Sequence, residues 1–170
     1  MVRDAPLQLC VVVPTLNEVA NVEPLLERLG VALAGIEWEA IFVDDGSTDG
    51  TPELLTRIAQ DDRRVRMIRR LGRRGLASAV VEGALASTTP IAAVIDADLQ
   101  HDEAILPDLY RPIPDGGSEL AIGTRYAGNG STGDWGEDRL KISRFATALA
   151  SPIMKTPMSD PMSGLFAVRR

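Results

Sequence analysis

Short, largely apolar runs rich in β-branched residues alternate along this chain with longer segments of helical periodicity, and no other feature constrains the fold as strongly. The runs are typical of buried strands and occupy positions 9–13, 39–43, 65–68, 91–95, 120–122 and 165–168. Helical patterns occupy 21–35, 51–58, 75–86, 104–110 and 140–153. This alternation predicts an α/β protein whose mostly parallel central sheet carries helices on both faces. The uniformly apolar run 91–95 is predicted to be a central strand.

Length, charge and cysteine content exclude several classes of protein. With 170 residues, 45% of them hydrophobic, the chain can form one domain with a sizeable core, and we assign one domain to 1–170. The longest uncharged runs, 5–17 and 83–95, are shorter than the roughly 20 apolar residues of a membrane-spanning helix. A formal net charge of −6 is not typical of a nucleic-acid binder. The single cysteine, Cys10, excludes an internal disulfide and fits a core position in a cytoplasmic protein.

Polar and acidic residues follow the first, second and fourth predicted strands. They occupy positions 14–18, 44–49 and 96–100. In parallel α/β sheets, ligands bind beyond the carboxyl ends of the strands. Because those ends share one edge of the sheet, we expect the three segments to form one site.

Asp96 and Asp98 lie two residues apart at the end of the predicted fourth strand. Paired carboxylates at such a position suit a hard divalent cation with oxygen ligands, such as Mg²⁺ or Mn²⁺. The alternative is a structural role, in which Asp98 or Asp102 caps the helix predicted at 104–110. The residues alone leave both interpretations open.

Asp44 and Asp45 are adjacent carboxylates at the end of the second strand. Like charges raise each other's pKa, so holding both ionised requires a partner, which a nucleotide base, a ribose or a metal would supply. The alternative is a turn, because Asp, Gly, Ser and Thr form turns by local hydrogen bonding. The same alternative applies to Asp49 and Thr51.

The order of these motifs resembles that of family 2 glycosyltransferases with the GT-A fold, and more closely that of the polyprenyl- (dolichyl-) phosphate sugar synthases. The matching segments cover nearly the whole chain and are 12–18, 43–51, 74–79, 96–101, 123–126, 139–144 and 159–164. The resemblance implies a Rossmann-like, three-layer nucleotide-diphospho-sugar transferase fold. Members of the family commonly continue beyond this point, so we expect the chain to lack a C-terminal extension.

The resemblance implies an inverting, metal-assisted transfer of a sugar from a nucleoside-diphosphate sugar to a polyprenyl phosphate. Mannose from GDP-mannose is the favoured donor, with glucose from UDP-glucose second, and the cofactor is Mg²⁺ or Mn²⁺. The resemblance implies a location at the cytoplasmic face of a membrane. The expected partners include a lipid and no nucleic acid. The phosphate acceptor is already anionic and needs no general base, whereas a hydroxyl acceptor needs one.

The resemblance also assigns roles to individual residues. Those implied to hold the nucleotide are Pro14, Leu16, Glu18, Val43, Asp45, Asp96 and Ala97. Those implied to hold the metal are Asp96, Asp98 and Gln100. The implied catalytic set is Asp98, Arg125 and Arg139. For a hydroxyl acceptor, Asp160 is the candidate base because of its position beside the turn at 163–164. Leu16 departs from the family, because many members carry an aromatic residue there, and this leaves the identity of the base open.

The same residues fit two rival functions and argue against two others. A family 2 enzyme with a polysaccharide or other hydroxyl acceptor fits, as does a nucleotide-sugar binding domain without turnover. A nucleotidyltransferase usually has a glycine-rich, basic loop after its first strand, which 14–18 is not. A phosphoacceptor signalling domain would have paired acids after strand one, whereas Asp44 and Asp45 follow strand two.

Seven arginines fall within residues 63–74, and they admit three interpretations. The first is a solvated strand and turn beside acidic Asp61 and Asp62. The second is contact of Arg73 and Arg74 with donor phosphates at a helix N-terminus. The third is contact with anionic lipid head groups. The seven are Arg63, Arg64, Arg66, Arg69, Arg70, Arg73 and Arg74.

Each of three further features has two possible interpretations. His101 lies either near the metal ligands or at the surface. Trp135 either contacts a membrane or substrate, or is buried at the base of its loop. Segment 140–153 either packs its apolar face on the core or lies as a basic amphipathic helix on a membrane surface.

Overall fold

The computed structural model describes residues 6–123 and 164–170, and in these ranges strands and helices alternate. The strands are β1 (Leu9–Thr15), β2 (Trp38–Asp44), β3 (Val65–Arg69), β4 (Ile91–Val94), β5 (Leu120–Ile122) and β6 (Phe166–Arg169). The helices are α1 (Val19–Ala32), α2 (Thr51–Asp61), α3 (Leu76–Ala86) and α4 (Leu106–Tyr110), the last preceded by a 3₁₀ turn at Glu103–Ile105. Within the described ranges, the alternation predicted from the sequence is confirmed.

The described strands form one six-stranded sheet in the order β3-β2-β1-β4-β6-β5. Strands β3, β2, β1 and β4 pair in parallel, whereas β6 runs antiparallel to both of its neighbours, β4 and β5. The prediction of a mostly parallel sheet is therefore confirmed. Strand β4 lies between β1 and β6 with all four residues buried, as its uniformly apolar sequence indicates.

Alternate residues of β1 face two different apolar layers. Val11 and Val13 pack in the larger layer with Leu25 of α1 and Leu55 of α2. Cys10 and Val12 face the opposite side, where α3 contributes Ala79. The two layers bury β1 on both faces, which accounts for a strand with almost no polar side chains.

Cys10 is a fully buried core residue, as expected from the sequence. Burial, followed by the nearby negative charge of Glu39, raises the pKa of its thiol to about 12. The thiol is therefore neutral at physiological pH and behaves as a small apolar group.

Gly83 brings α3 close to the sheet. A Cβ atom at this position would lie 2.5 Å from Val12 Cγ1 and 2.9 Å from Val43 Cγ2, both in the smaller apolar layer. Only a residue without a side chain leaves room for this approach. Among the helices of the described ranges, none combines the length and the apolar character needed to cross a bilayer.

Helix α1 begins two residues before the predicted start at Asn21. Its first N–H groups are satisfied by the loop after β2 and by the first residue of α2, because Val19 N–H donates to Asp49 Oδ2 (3.0 Å) and Glu18 N–H donates to Thr51 Oγ1 (3.0 Å). Desolvation acts to raise the pKa of Asp49, but hydrogen bonds from Thr51 and Val19 outweigh it and hold that pKa below its usual 3.8. The cap comes from a residue distant in sequence, so a prediction from local residue preferences places the start of α1 two residues too late.

Candidate functional site

The loops after β1 and β2 are joined by hydrogen bonds at the carboxyl edge of the sheet. Asn17 N–H donates to Ser47 Oγ (2.8 Å), and Asn17 Oδ1 accepts from Thr48 N–H (2.9 Å). Asn17 adopts a left-handed backbone conformation (φ 57°), which Asn tolerates better than most residues. These contacts bring the polar segments at 14–18 and 44–49 together, as their positions after parallel strands predict.

Asp44 has the turn role that its neighbours suggested. Its side chain is fully buried, and Oδ1 accepts hydrogen bonds from the N–H groups of Gly46 and Ser47, both at 3.1 Å. Its second oxygen, Oδ2, is buried without a hydrogen-bond partner in the described part of the chain. Asp44 therefore shapes the loop on which Asp45 is carried.

Asp45 has an internal partner that the sequence did not reveal. Arg70 Nε donates to Asp45 Oδ1 at 2.6 Å, and Gly75 N–H donates to Asp45 Oδ2 at 2.9 Å. The Asp45 side chain remains 12% exposed, whereas that of Arg70 is only 1% exposed. The two adjacent carboxylates are thus held by different groups, Asp44 by turn N–H groups and Asp45 by a guanidinium.

The arginine cluster separates into individual contacts once the chain is folded. Arg64 pairs with Asp62 (2.7 Å) and lies over the ring of Trp38, 4.7 Å from its centroid. Arg66 pairs with the buried Glu39 (3.2 Å) at the opposite edge of the sheet. Acidic neighbours thus account for these two, in partial agreement with the first interpretation, although Arg70 is buried rather than solvated.

Asp96 and Asp98 follow β4 on the same edge of the sheet. Asp96 Oδ2 lies 3.2 Å from His101 Nε2. A Cβ atom added to Gly164 would come within 2.5 Å of the same oxygen, so a larger residue there would displace the Asp96 carboxylate. Asp98 is exposed, and its Oδ1 accepts the Gln100 N–H (3.1 Å).

The helix-capping alternative applies to Asp102 and not to Asp98. Asp102 Oδ1 accepts the Ala104 N–H at 3.0 Å and caps the 3₁₀ turn that leads into α4. Among the described residues, the Asp98 carboxylate accepts a hydrogen bond only from its own loop, where Leu99 adopts a left-handed conformation (φ 59°). Capping therefore does not account for the presence of Asp98.

The potential metal ligands around Asp96 fit a divalent cation that is also coordinated by phosphate oxygens of a substrate. Across residues 6–123 and 164–170, no three Asp, Glu, His or Cys side chains converge as a ready-made metal cage. Mg²⁺ in phosphate-transfer sites is usually held by one or two carboxylates together with substrate phosphates. The carboxylates of Asp96 and Asp98, with the His101 imidazole beside Asp96, are of the right chemistry for such an ion.

The other predicted nucleotide-binding residues lie on this edge with different exposure. Leu16 is exposed and Pro14 is half-buried, so both side chains are accessible from the edge. Val43 and Ala97 are buried, and a ligand would reach them through main-chain atoms. Glu18, at the N-cap of α1, accepts a hydrogen bond from its neighbour Asn21 through Oε2 (2.6 Å).

Several predicted functional residues lie outside the described ranges. They are Arg125 and Arg139 of the implied catalytic set, the candidate base Asp160, Trp135, and the segment 140–153. The described site therefore consists of the loops after β1, β2, β3 and β4, with Gly164 against Asp96.

Residues 10–170 match the family model described as glycosyl transferase family 2. The chain is 37% identical over 167 residues to a dolichol-phosphate mannosyltransferase of Pyrococcus furiosus, covering 96% of this chain and 47% of the relative. It is 38% identical over 168 residues to the protein of the same name in Saccharomyces cerevisiae, covering 96% of this chain and 61% of the relative. The chain thus spans roughly half the length of the curated relatives it matches.

Solved structures show the same fold at lower sequence identity. Glucosyl-3-phosphoglycerate synthase of Mycobacterium tuberculosis, solved with Mn²⁺, uridine diphosphate and phosphoglyceric acid, superposes with a TM-score of 0.70 at 23% identity. The match covers 95% of this chain and 55% of that protein. The predicted GT-A-type α/β fold is confirmed by this likeness.

Proposed function

Since this chain belongs to glycosyl transferase family 2, we propose that it transfers a sugar from a nucleoside-diphosphate sugar to a polyprenyl phosphate, with inversion. One observation carries the proposal: relatives that are 37–38% identical over 94–96% of the chain are dolichol-phosphate mannosyltransferases. On the same ground, the favoured donor is GDP-mannose. The described loops supply the donor half of the reaction.

The donor nucleotide is assigned to the edge formed by the loops after β1 and β2. Asp45 is partly exposed there, and its carboxylate accepts donors such as a ribose hydroxyl or a base N–H. Leu16 offers an apolar surface in place of an aromatic ring, which reduces stacking on the base. The backbone of Ala97 and the carboxylate of Asp96 are assigned to the part of the site that binds the diphosphate of the donor.

Mg²⁺ or Mn²⁺ is proposed at Asp96 and Asp98, with Gln100 as a further oxygen ligand. When bound, such an ion neutralises the leaving diphosphate and acts as a Lewis acid. His101, 3.2 Å from Asp96 Oδ2, holds that carboxylate in one orientation. Gly164 leaves the space that this orientation needs.

The acceptor determines which further groups the reaction requires. A phosphate oxygen is already anionic and attacks the sugar without a general base. Arg125 and Arg139 are proposed to bind phosphate and to stabilise the charge that develops. Asp160 becomes indispensable only for a hydroxyl acceptor, so the ratio of activities of wild type and Asp160→Asn separates the two classes of acceptor.

Nucleotide binding tests the donor assignment directly. With Mn²⁺ present, GDP at about 100 times its Kd is expected to raise the melting temperature by about 5 °C or more, because it binds only the folded state. Parallel samples contain UDP, dTDP or ADP, each with Mn²⁺ or with EDTA. A Mn²⁺-dependent shift with UDP alone would replace mannose by glucose as the favoured sugar, and no shift with any nucleotide would contradict the assignment.

Transfer itself is measured with radiolabelled GDP-mannose, polyprenyl phosphate and Mn²⁺. The expected product is a labelled lipid that partitions into organic solvent and forms only when both substrates are present. Label that appears on a polysaccharide or other hydroxyl acceptor instead would contradict the proposed acceptor.

We also propose association with a membrane surface, through an α3 patch of four exposed apolar side chains and three exposed arginines. Val81 and Leu85 lie one helical turn apart on the outer side of α3, which is unusual for a helix facing water. The arginines precede the helix and complement anionic head groups, although Arg73 also pairs with Glu82 of α3 (3.0 Å). The members of the patch are Leu71, Leu76, Val81, Leu85, Arg69, Arg73 and Arg74.

Sedimentation with vesicles tests the α3 patch. Binding is expected to require anionic lipid and to weaken as salt rises, and Leu85→Glu is expected to reduce it about fivefold, since one charge near the surface is worth about 1 kcal/mol. Val31→Glu is the matched control, because Val31 is equally exposed (75%, against 73% for Leu85) and lies on α1, outside the patch. Equal loss in both variants, or no binding by the wild type, would contradict this role.

A further inference from the structure

Arg70 is the largest fully buried side chain in the described part of the protein, and nothing in the proposed reaction uses it directly. It follows β3, where its N–H donates to the Asp44 carbonyl (2.8 Å) and extends the ladder between β2 and β3 by one residue. Its side chain then runs along the carboxyl edge of the sheet. A cation in this position needs compensation at every nitrogen, because burial of an unpaired charge is costly.

Every guanidinium nitrogen of Arg70 has a partner. Nε and Nη2 both reach Asp45 Oδ1 (2.6 and 2.5 Å), and Nη2 also donates to the Gly75 carbonyl (2.9 Å). Nη1 donates to Ser78 Oγ (2.7 Å) and lies 3.9 Å from Glu82 Oε2. One side chain therefore joins the loop after β2 to the first turn of α3.

This arrangement fixes the direction of the Asp45 carboxylate. Its Oδ1 accepts from Arg70 Nε and forms an ion pair with Arg70 Nη2, and its Oδ2 accepts from Gly75 N–H (2.9 Å). A carboxylate accepts about four hydrogen bonds, so roughly one position on Oδ2 remains for a further donor. That position is on Oδ2, the oxygen that Arg70 does not contact, and the Asp45 side chain is still 12% exposed.

We infer that Arg70 is a positioning residue for the nucleoside part of the donor, acting through Asp45, an inference that rests on the proposed function. Arg70 and Gly75 saturate most of the carboxylate and leave one acceptor for a ribose hydroxyl or a base N–H. The diphosphate end of the site, at Asp96 and Asp98, has no contact with Arg70 among the described residues. Arg70 therefore controls affinity for the nucleoside without controlling affinity for the diphosphate and its metal.

The test compares Arg70→Lys with wild type in two titrations, GDP with Mn²⁺ and inorganic diphosphate with Mn²⁺. Lysine keeps the charge but has three donors instead of five and no planar fork, so it leaves Asp45 free to rotate. The Kd for GDP is expected to rise about ten- to hundredfold, as for the loss of a charge-assisted hydrogen bond. The Kd for inorganic diphosphate is expected to stay within about twofold of the wild-type value.

The matched control is Arg66→Lys. Arg66 lies on β3, the strand that Arg70 follows, and also pairs with a buried carboxylate, Glu39, but at the opposite edge of the sheet. Its substitution is expected to lower the melting temperature while leaving both Kd values unchanged. If Arg70 had only a structural role, Arg70→Lys would likewise lower the melting temperature and leave both Kd values unchanged.

A second variant covers the case in which Arg70→Lys does not fold. Ser78→Ala removes one hydrogen-bond acceptor of the Arg70 guanidinium and leaves the pair between Arg70 and Asp45 in place. Because the guanidinium is then held less firmly, the Kd for GDP is expected to rise about threefold. An unchanged GDP affinity in the folded variants, or an equal loss for inorganic diphosphate, overturns the inference. Failure of the wild type to bind any nucleoside diphosphate overturns the proposed function itself, and the inference with it.

Discussion

Asp98→Asn is expected to lower the rate of sugar transfer about 10²- to 10³-fold, the loss typical of removing one preorganised group that stabilises charge in the transition state. The substitution is nearly isosteric, and the asparagine oxygen still accepts the Gln100 N–H, so the loop keeps its shape. What disappears is the negative charge that would hold a divalent cation against the leaving diphosphate. Initial rates with GDP-mannose and polyprenyl phosphate over a range of Mn²⁺ concentrations measure the effect.

Asp108→Asn is the control for this loss. Asp108 is an exposed carboxylate on α4 whose partner is Arg111, and it lies outside the loops of the site. Its variant is expected to retain wild-type activity, and both variants are expected to keep the wild-type melting temperature in the absence of ligand. An Asp98→Asn enzyme that retains full activity at the same Mn²⁺ concentration would remove Asp98 from the metal site.

Gly83→Ala and Gly30→Ala are expected to change stability in opposite directions, although both place a methyl group inside a helix. Alanine stabilises a helix interior by roughly 0.5–1 kcal/mol relative to glycine. At Gly30 in α1, no atom lies within 4 Å of the new methyl group, so this gain is expected in full. At Gly83 the methyl group would lie 2.5 Å from Val12 Cγ1, and overpacking of this kind typically costs about 1–3 kcal/mol.

Urea denaturation of both variants and the wild type measures the difference in free energy of unfolding. Val12 and Val43 are β-branched and fully buried on neighbouring strands, so neither side chain can turn aside cheaply. Gly83→Ala is therefore expected to shift the helix away from the sheet and to lower the transition midpoint. A Gly83→Ala protein as stable as Gly30→Ala would show that α3 does not pack this closely.

The strands were predictable from the sequence because their signal is local. The run at 91–95 is uniformly apolar, and the structure places β4 inside the sheet with buried residues on both faces. The meeting of the loops after β1 and β2 was predictable for a related reason, since parallel strands place their carboxyl ends at one edge. A pattern within a few residues, combined with one rule of topology, was sufficient for these features.

Contacts between distant residues were not predictable. Asp45 and Arg70 are 25 residues apart, and their pairing depends on the ladder between β2 and β3. In the sequence, Arg70 is one of seven neighbouring arginines, and only the fold distinguishes the buried one from the exposed ones. The cap of α1 by Asp49 was missed for the same reason, because the capping residue follows a different strand.

The position of β6 determines the order in which the sheet can be completed. Strand β6 inserts between β4 and β5, and its first residue, Phe166, pairs with Val94 and Ile122. A nascent chain that has emerged only as far as β5 therefore lacks the strand that neighbours β5 in the described sheet, and β4 presents an open edge available for aggregation. The residues just before β6 carry Gly164 up against Asp96, so the segment that joins β4 to β5 also completes the surroundings of the carboxylate. Completion of the sheet and completion of the proposed metal site are thus coupled, and a chain truncated before residue 164 would lose both at once.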